Sequence, residues 1–170
     1  EAHGKDYNPN RLAVTQFIGV ADTDAEAHRL YKEPAEYFFN RSFFVYPGFS
    51  DPPGYVTEAS VRAKYRSQVR DAVKQKIAKG ELKWEEMVEN GYVVVGSPDT
   101  VREQLEAAAK DLNLGNLAAL LQFGNMNDEL VRYNTNMFAE KVAPQLKTMF
   151  AEWEHPYWPS GATPAPSAAA

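Results

Sequence analysis

The sequence contains no cysteine, which excludes disulfide bonds, thiol catalysis and cysteine-ligated metal sites. Its three histidines, His3, His28 and His155, form no H-x-x-H or H-E-x-x-H pattern, so no metal site is predicted. No apolar run approaches the roughly 20 residues that span a bilayer. The formal net charge of −5 argues against a general nucleic-acid binder, because phosphate affinity needs clustered lysine and arginine. We therefore expect a cytoplasmic protein that binds neither nucleic acid nor membrane.

The chain has 170 residues, of which 44% are hydrophobic and 24% charged, as suits one soluble domain with a substantial core. Three short apolar runs, at residues 12–20, 92–95 and 117–123, indicate strands buried on both faces. A helical pattern follows each run, and a long aromatic connection occupies residues 41–56. This alternation predicts a parallel sheet covered by helices. Residues 159–170, PSGATPAPSAAA, are predicted to form a disordered tail.

The segment at residues 93–105, VVVGSPDTVREQL, predicts a strand, a tight turn and a helix. Ser97 is a strong N-cap, and Pro98 suits the first helical position, where its missing N–H costs nothing. The same turn, with Gly96, resembles an anion site at a helix N-terminus. Only one glycine is present and Pro98 removes one N–H donor, so a helix start is favoured over an anion site.

Two further pairs of residues are candidates for lining a pocket. Gln122 and Gly124 end the third predicted strand, where an amide could bind a ligand and a glycine would let the backbone approach a ring. A tight turn with core packing explains this pair equally well. Tyr37 and Phe38 belong to an aromatic cluster that continues into the connection and could form the wall of an apolar pocket. Aromatic packing that covers an open end of the fold or a subunit interface is favoured for the aromatic cluster.

Four motifs, taken in order, resemble the C-terminal part of the bacterial-luciferase-like flavin-dependent monooxygenases: ADTDAEA, VYPGFSDPPGY, GYVVVGSPDTVREQL and LAALLQFGNMNDELVRYNTNMFAEKVAPQL. The most specific pieces are the G-S-P-x-x-V turn, the F-G that ends the next strand and the F-A-x-x-V-x-P-x-L helix end. The resemblance covers residues 11–150. It implies an α/β fold that is part of a (β/α)8 TIM barrel, containing about its sixth to eighth strands. Residues 1–158 would be the C-terminal portion of such a barrel domain.

The resemblance also implies a monooxygenase that uses reduced FMN and O2 on an organic substrate. Gly96, Ser97, Gln122 and Gly124 would then border the cofactor. Tyr37 and Phe38 would border the substrate. The family's catalytic histidine and most of the residues that bind the flavin phosphate would lie outside this chain. No catalytic residue is therefore assigned, and this chain alone is expected to be an inactive fragment.

Two alternatives stay open beside the FMN-dependent monooxygenase. A barrel of the same form could use a deazaflavin for hydride transfer, or the chain could be a non-catalytic partner subunit or remnant. A homo- or hetero-oligomer with barrel-type subunits is expected in each case. A flavin reductase is a candidate partner, because residues 62–83 are rich in lysine and arginine, although a solvated helix face explains this stretch more simply.

Overall fold

The computed structural model describes residues 7–42, 54, 56–70 and 72–156. These residues form the strands β1 (Ala13–Val20), β2 (Val93–Gly96) and β3 (Asn116–Leu120). They also form the helices α1 (Asp24–Tyr37), α2 (Glu58–Arg70), α3 (Ala72–Lys79), α4 (Trp84–Glu89), α5 (Pro98–Leu112), α6 (Asp128–Met137) and α7 (Ala143–Leu146). A 3-10 turn occupies Pro9–Arg11, and π-helical segments follow α1 at Phe38–Ser42 and α6 at Phe138–Val142. The predicted tail and most of the aromatic connection lie outside the described residues.

The ends of the helices lie close to where the sequence places them. Thr23 caps α1, since its Oγ1 accepts the Glu26 N–H at 3.2 Å. Ser97 caps α5, with Pro98 in the first helical position. Asn113, in the left-handed conformation with φ of 52°, is the C-cap that ends α5. Local capping chemistry therefore sets these boundaries.

The three strands form a parallel sheet with the order β2-β1-β3, so β1 lies at the centre. Residues 17–20 of β1 pair with residues 93–96, and residues 13–17 pair with residues 116–120. The predicted parallel α/β sheet is thus confirmed. Three consecutive strands of a (β/α)8 barrel would instead pair in chain order, with β2 in the middle. The partial barrel is not confirmed.

The two faces of the sheet are covered by different helices. Val93 and Val95 enter a core shared with Tyr31 of α1, whereas Val94 enters a second core shared with Leu105 of α5. Because neighbouring side chains of a strand point to opposite faces, α1 and α5 lie on opposite sides of the sheet. In a barrel all the helices cover the outer face. Three strands cannot close into a barrel, and a parallel sheet is stable when helices bury both of its faces.

The amide of Asn134, on α6, joins the backbones of β1 and β3 beyond the end of their hydrogen-bond ladder. Its side chain is fully buried. Asn134 Oδ1 accepts the Val20 N–H at 2.8 Å, and Nδ2 donates to the carbonyls of Ile18 at 2.8 Å and Leu121 at 2.9 Å. The pairing of β3 with β1 ends at Leu120, so these groups have no ladder partner there. One side chain therefore replaces the missing hydrogen bonds between the strands and fixes α6 against the sheet.

We expect Asn134→Ala to lower the free energy of unfolding by about 3 kcal/mol, because each buried backbone group left unsatisfied costs roughly 1–3 kcal/mol. Urea unfolding followed by circular dichroism measures the change. Asn125→Ala is the matched control: Asn125 is exposed and its Nδ2 donates only to Glu33 Oε1, at 2.9 Å. Its expected effect is within about 0.5 kcal/mol. Equal losses in the two variants would contradict the role given to Asn134.

Candidate functional site

Two of the residues predicted to border a cofactor lie where β2 ends, Gly96 as its last residue and Ser97 directly after it. The Ser97 backbone N–H donates to Asp24 Oδ1 at 2.6 Å. Ser97 Oγ donates to Thr100 Oγ1 at 3.0 Å and accepts the Thr100 N–H at 3.4 Å. The Asp24 carboxylate therefore lies at the N-terminus of α5, where an external anion would otherwise bind.

The electrostatics of this turn follow from the same contacts. The hydrogen bond from the Ser97 backbone, followed by one from the Thr100 side chain, lowers the pKa of Asp24. A Cβ atom at Gly96 would lie 2.8 Å from both Asp24 Oδ1 and Thr100 Cγ2. Glycine is thus needed for the close approach of the two helix ends. A helix start accounts for Gly96 and Ser97, and their role in cofactor binding stays a prediction.

The second predicted pair, Gln122 and Gly124, lies beyond the end of β3. Gly124 has a φ of 59°, and a Cβ added there would collide with the carbonyl oxygen of Pro34 in α1. The backbone approach predicted at Gly124 is therefore an approach to α1. Gln122 is exposed, whereas the neighbouring Phe123 is buried, with its ring 5.7 Å from the ring of Phe17.

The predicted substrate residues, Tyr37 and Phe38, lie at the C-terminal end of α1. The Phe38 ring lies 4.8 Å from the ring of Phe17 and 5.3 Å from the ring of Phe39, so it belongs to the core on this face. Tyr37 is 39% exposed, with the Arg41 guanidinium 5.9 Å above its ring. Four further predicted members of the aromatic cluster lie outside the described residues, namely Phe43, Phe44, Tyr46 and Phe49.

The structure distributes five of the six predicted residues along α1, and the sixth, Gln122, lies beyond the end of β3. Gly96 and Ser97 contact the first residue of α1, Gly124 contacts its third turn at Pro34, and Tyr37 and Phe38 lie at its end. A helix rises about 1.5 Å per residue, so the first and last of these places are about 20 Å apart. The Asp24 carboxylate is the titratable group that these contacts place beside Gly96 and Ser97, and it already accepts the N–H at the start of α5.

Polar groups that the sequence analysis did not single out fill the carboxyl end of β1. Tyr31 Oη donates to the Val20 carbonyl at 2.7 Å, and burial raises the pKa of Tyr31, so the phenol keeps its proton. Tyr133 Oη accepts the Asp22 N–H and donates to Asp22 Oδ2, each at 3.2 Å. The spacing of four residues from Ala27 to Tyr31 is the signal that could have placed Tyr31 on the core face of α1.

None of the six predicted residues lines either of two cavities that the described residues form. The first is an open groove of about 520 Å³ between α1 and α4, where Trp84 Nε1 donates to His28 Nδ1 at 3.0 Å. The second measures about 180 Å³ and lies between α5, α7 and the opposite face of the sheet, with a mainly apolar lining. Neither cavity combines an apolar wall with the residues predicted to hold a flavin.

The described part of the chain has neither a cluster of metal-binding side chains nor a helix that could span a membrane. Within residues 7–42, 54, 56–70 and 72–156, no three acidic or histidine side chains gather where they could hold a metal ion. In the same ranges, each helix is too short or too polar to cross a membrane.

The chain matches no protein-family model and no curated protein. It is similar to a solved structure of the oxygenating constituent of 3,6-diketocamphane monooxygenase from the CAM plasmid of Pseudomonas putida, described as a type II Baeyer-Villiger monooxygenase in complex with FMN. The identity is 25%, the TM-score is 0.48, and the match covers 85% of this chain and 36% of that protein. The chain thus spans little more than a third of the length of that protein. A TM-score below 0.5 does not establish a shared fold.

We expect Asp24→Asn to destabilise the protein by roughly 0.5–1 kcal/mol at pH 7, a small value because the carboxylate is exposed and solvent screens its charge. The folded pKa of Asp24 lies below its ordinary value of 3.8, so its stabilising contribution is present above that pH. The contribution disappears as the pH falls through the lower, folded pKa. Urea unfolding at neutral and strongly acidic pH should therefore show a difference only at the neutral value.

Asp111→Asn is the matched control for Asp24. Asp111 is exposed and lies in the last turn of α5, where a negative charge is unfavourable for the helix dipole. Its replacement should leave stability at pH 7 unchanged or slightly raised. A loss from Asp111→Asn as large as that from Asp24→Asn would show that the contact with Ser97 is not its cause.

Gly124→Ala should cost substantially more stability than Gly91→Ala. Both glycines have positive φ, 59° and 69°, but a Cβ at Gly91 would meet no atom within 4 Å, whereas a Cβ at Gly124 would meet Pro34. Gly91→Ala should cost about 1 kcal/mol, the backbone penalty alone, and Gly124→Ala about 1–3 kcal/mol more from the forced displacement. The urea concentrations at the midpoint of unfolding test this expectation. Equal midpoints for the two variants would contradict the packing role of Gly124.

Proposed function

We propose that this chain is part of a flavin-dependent monooxygenase that uses reduced FMN and O2 on an organic substrate. One observation carries the proposal, namely the positions of the motifs of the sequence resemblance. The A-D-T, G-S-P and F-G pieces follow β1, β2 and β3 in turn, and the F-A-x-x-V-x-P-x-L piece forms the π-helical segment and α7. The loops that follow parallel strands are the places where α/β enzymes bind their ligands.

The described residues suit some parts of the FMN molecule and not others. The N-terminus of α5 does not fit the phosphate, because the Asp24 carboxylate lies there and two anions would repel each other. Under the proposal, other parts of the protein bind the phosphate. Tyr37 and Gln122 are exposed, so the aromatic ring of one and the amide of the other are available to contact a ligand. Their contribution would be to contact and orient the ligand.

A non-catalytic partner subunit is the second candidate function, and a specific observation favours it. Five of the six predicted site residues are spread along α1, and Phe38 and Gly124 are used in packing within the chain. A subunit that stabilises a complete barrel would need no pocket of its own. A hydride-transfer enzyme with a deazaflavin stays an alternative of the same fold as the monooxygenase.

Titration of FMN and of a 5-deazaflavin with the purified chain, followed by flavin fluorescence, tests these proposals. We expect weak binding that Tyr37→Ala weakens about three- to tenfold, because an aromatic contact is worth about 0.5–1.5 kcal/mol. Tyr7→Ala is the matched control, since Tyr7 is an exposed tyrosine, 63% exposed, that is not among the predicted site residues. Preference for the deazaflavin would favour hydride transfer.

Two results would contradict the proposed role of the chain. The absence of binding to either flavin at millimolar concentrations would favour the partner subunit. Tight binding with O2-dependent turnover by this chain alone would show that it is a complete enzyme and not a contributing part.

A further inference from the structure

The side chain of Asn40 joins two segments that are far apart in the sequence. Asn40 lies in the π-helical segment Phe38–Ser42, directly after α1. Its Oδ1 accepts the Leu82 N–H and its Nδ2 donates to the Leu82 carbonyl, each at 2.9 Å. Leu82 lies in the connection between α3 and α4 and is 1% exposed. One amide side chain therefore satisfies both backbone groups of a buried residue.

The connection that Asn40 contacts has hydrogen bonds of its own. The Gly80 N–H donates to the Ile77 carbonyl at 3.0 Å, and the Glu81 N–H donates to the Lys76 carbonyl at 2.8 Å, which closes the C-terminal end of α3. A Cβ atom at Gly80 would lie 2.8 Å from the carbonyl oxygen of Asn40. The two backbones thus pack closely, and the Asn40 amide anchors the end of α1 to an ordered segment.

The π-helical segment also sets the directions of the side chains around Tyr37. The rings of Phe38 and Phe39 lie 4.8 Å and 5.5 Å from the ring of Phe17, on the core side. Tyr37 is 39% exposed, and the Arg41 guanidinium lies 5.9 Å from its ring. A π-helical turn contains more residues than an α-helical turn, so these directions differ from those in a continued α-helix. The form of this segment therefore decides which ring packs inside and which stays exposed.

We propose that Asn40 is a positioning residue for the ligand contact of Tyr37. Its amide holds the π-helical segment against Leu82, and the segment in turn holds the exposed Tyr37 ring beside Arg41. The proposal rests on the proposed function, in which Tyr37 contacts the flavin. A side chain that is already fixed loses less conformational freedom when a ligand binds, so its contact contributes more to the affinity. Asn40 acts through the position of Tyr37 and does not itself touch the ligand.

Titration of FMN with four chains tests this role: the wild type, Tyr37→Ala, Asn40→Ala and the double variant. Asn40→Ala should weaken binding about two- to tenfold, the factor that corresponds to ordering one side chain on binding. When Tyr37 is already replaced, Asn40→Ala should weaken binding no further, because Asn40 acts through that ring. A loss of equal size with and without Tyr37 would contradict the positioning role, since a general structural effect would produce it.

A second measurement reports the position of the Tyr37 ring without a flavin. The NMR resonance of the Arg41 Nε–H senses the neighbouring ring, so Asn40→Ala should move it toward its value in Tyr37→Ala. Asn40→Asp keeps the acceptor for the Leu82 N–H and loses the donor to the carbonyl. This milder variant should therefore change the resonance and the FMN affinity in the same direction. Far-UV circular dichroism verifies that each variant is folded.

Asn90→Ala is the matched control. Asn90 is exposed, and its Nδ2 donates to a backbone carbonyl within its own helix, that of Glu86, at 2.7 Å. Its replacement should leave both the FMN affinity and the Arg41 resonance unchanged. If the wild type binds FMN and Asn40→Ala leaves the Arg41 resonance unchanged, the positioning role is overturned and the proposed function stands. Absence of FMN binding by the wild type would overturn the ligand role of Asn40 together with the proposed function, whatever the resonance shows.

Discussion

The buried amide of Asn134 is the contact on which the carboxyl end of this sheet depends. β3 stops short of the last residues of β1, so backbone groups of Ile18 and Val20 would face the interior without partners. A helix that crosses this end of the sheet with an apolar side chain could not satisfy them. With Asn134 in place, α6 is fixed across the end of β1, and Tyr133 comes within hydrogen-bonding distance of Asp22. Open α/β sheets usually bind ligands at this edge, and here side chains of the protein occupy the part of it beside the end of β1.

The Asp24 carboxylate stabilises two neighbouring helix N-termini at the same edge of the sheet. Asp24 is the first residue of α1 and also accepts the Ser97 N–H at the start of α5. Two helix N-termini, each equivalent to about half a positive charge, would repel each other at this distance. One negative side chain between them stabilises both. The turn after β2 therefore resembles an anion site because it binds an anion of the protein itself, the Asp24 carboxylate. The helix start needs no external ligand.

Features that depend on neighbouring residues could be predicted from the sequence, and features that depend on distant ones could not. The caps at Thr23 and Ser97 and the positions of the strands follow from local chemistry, and the structure has them within a few residues. The strand order depends on whether β3 pairs with β1 or with β2. An apolar run such as LAALL is compatible with either pairing. Gly124 was singled out as a place of close backbone approach, but its partner Pro34 is remote in sequence. Asn134 did leave a signal, because it lies four residues from both Leu130 and Phe138, on the core-facing side of α6.

The position of α5 relative to Val94 separates the observed arrangement from a barrel. The unit from β1 through α1 to β2 is common to both, and so are the motifs at the strand ends. In a barrel α5 would lie on the same side as α1, and Val94, which points away from α1, would face the barrel interior. Here Val94 shares a core with Val101 and Leu105 of α5. The apolar face of α5 can therefore bury either side of the strands, and the choice follows from whether other strands are present to fill the barrel interior. In the sheet that the described residues form, α5 covers Val94 and so removes from water apolar surface that an open three-stranded segment would leave exposed.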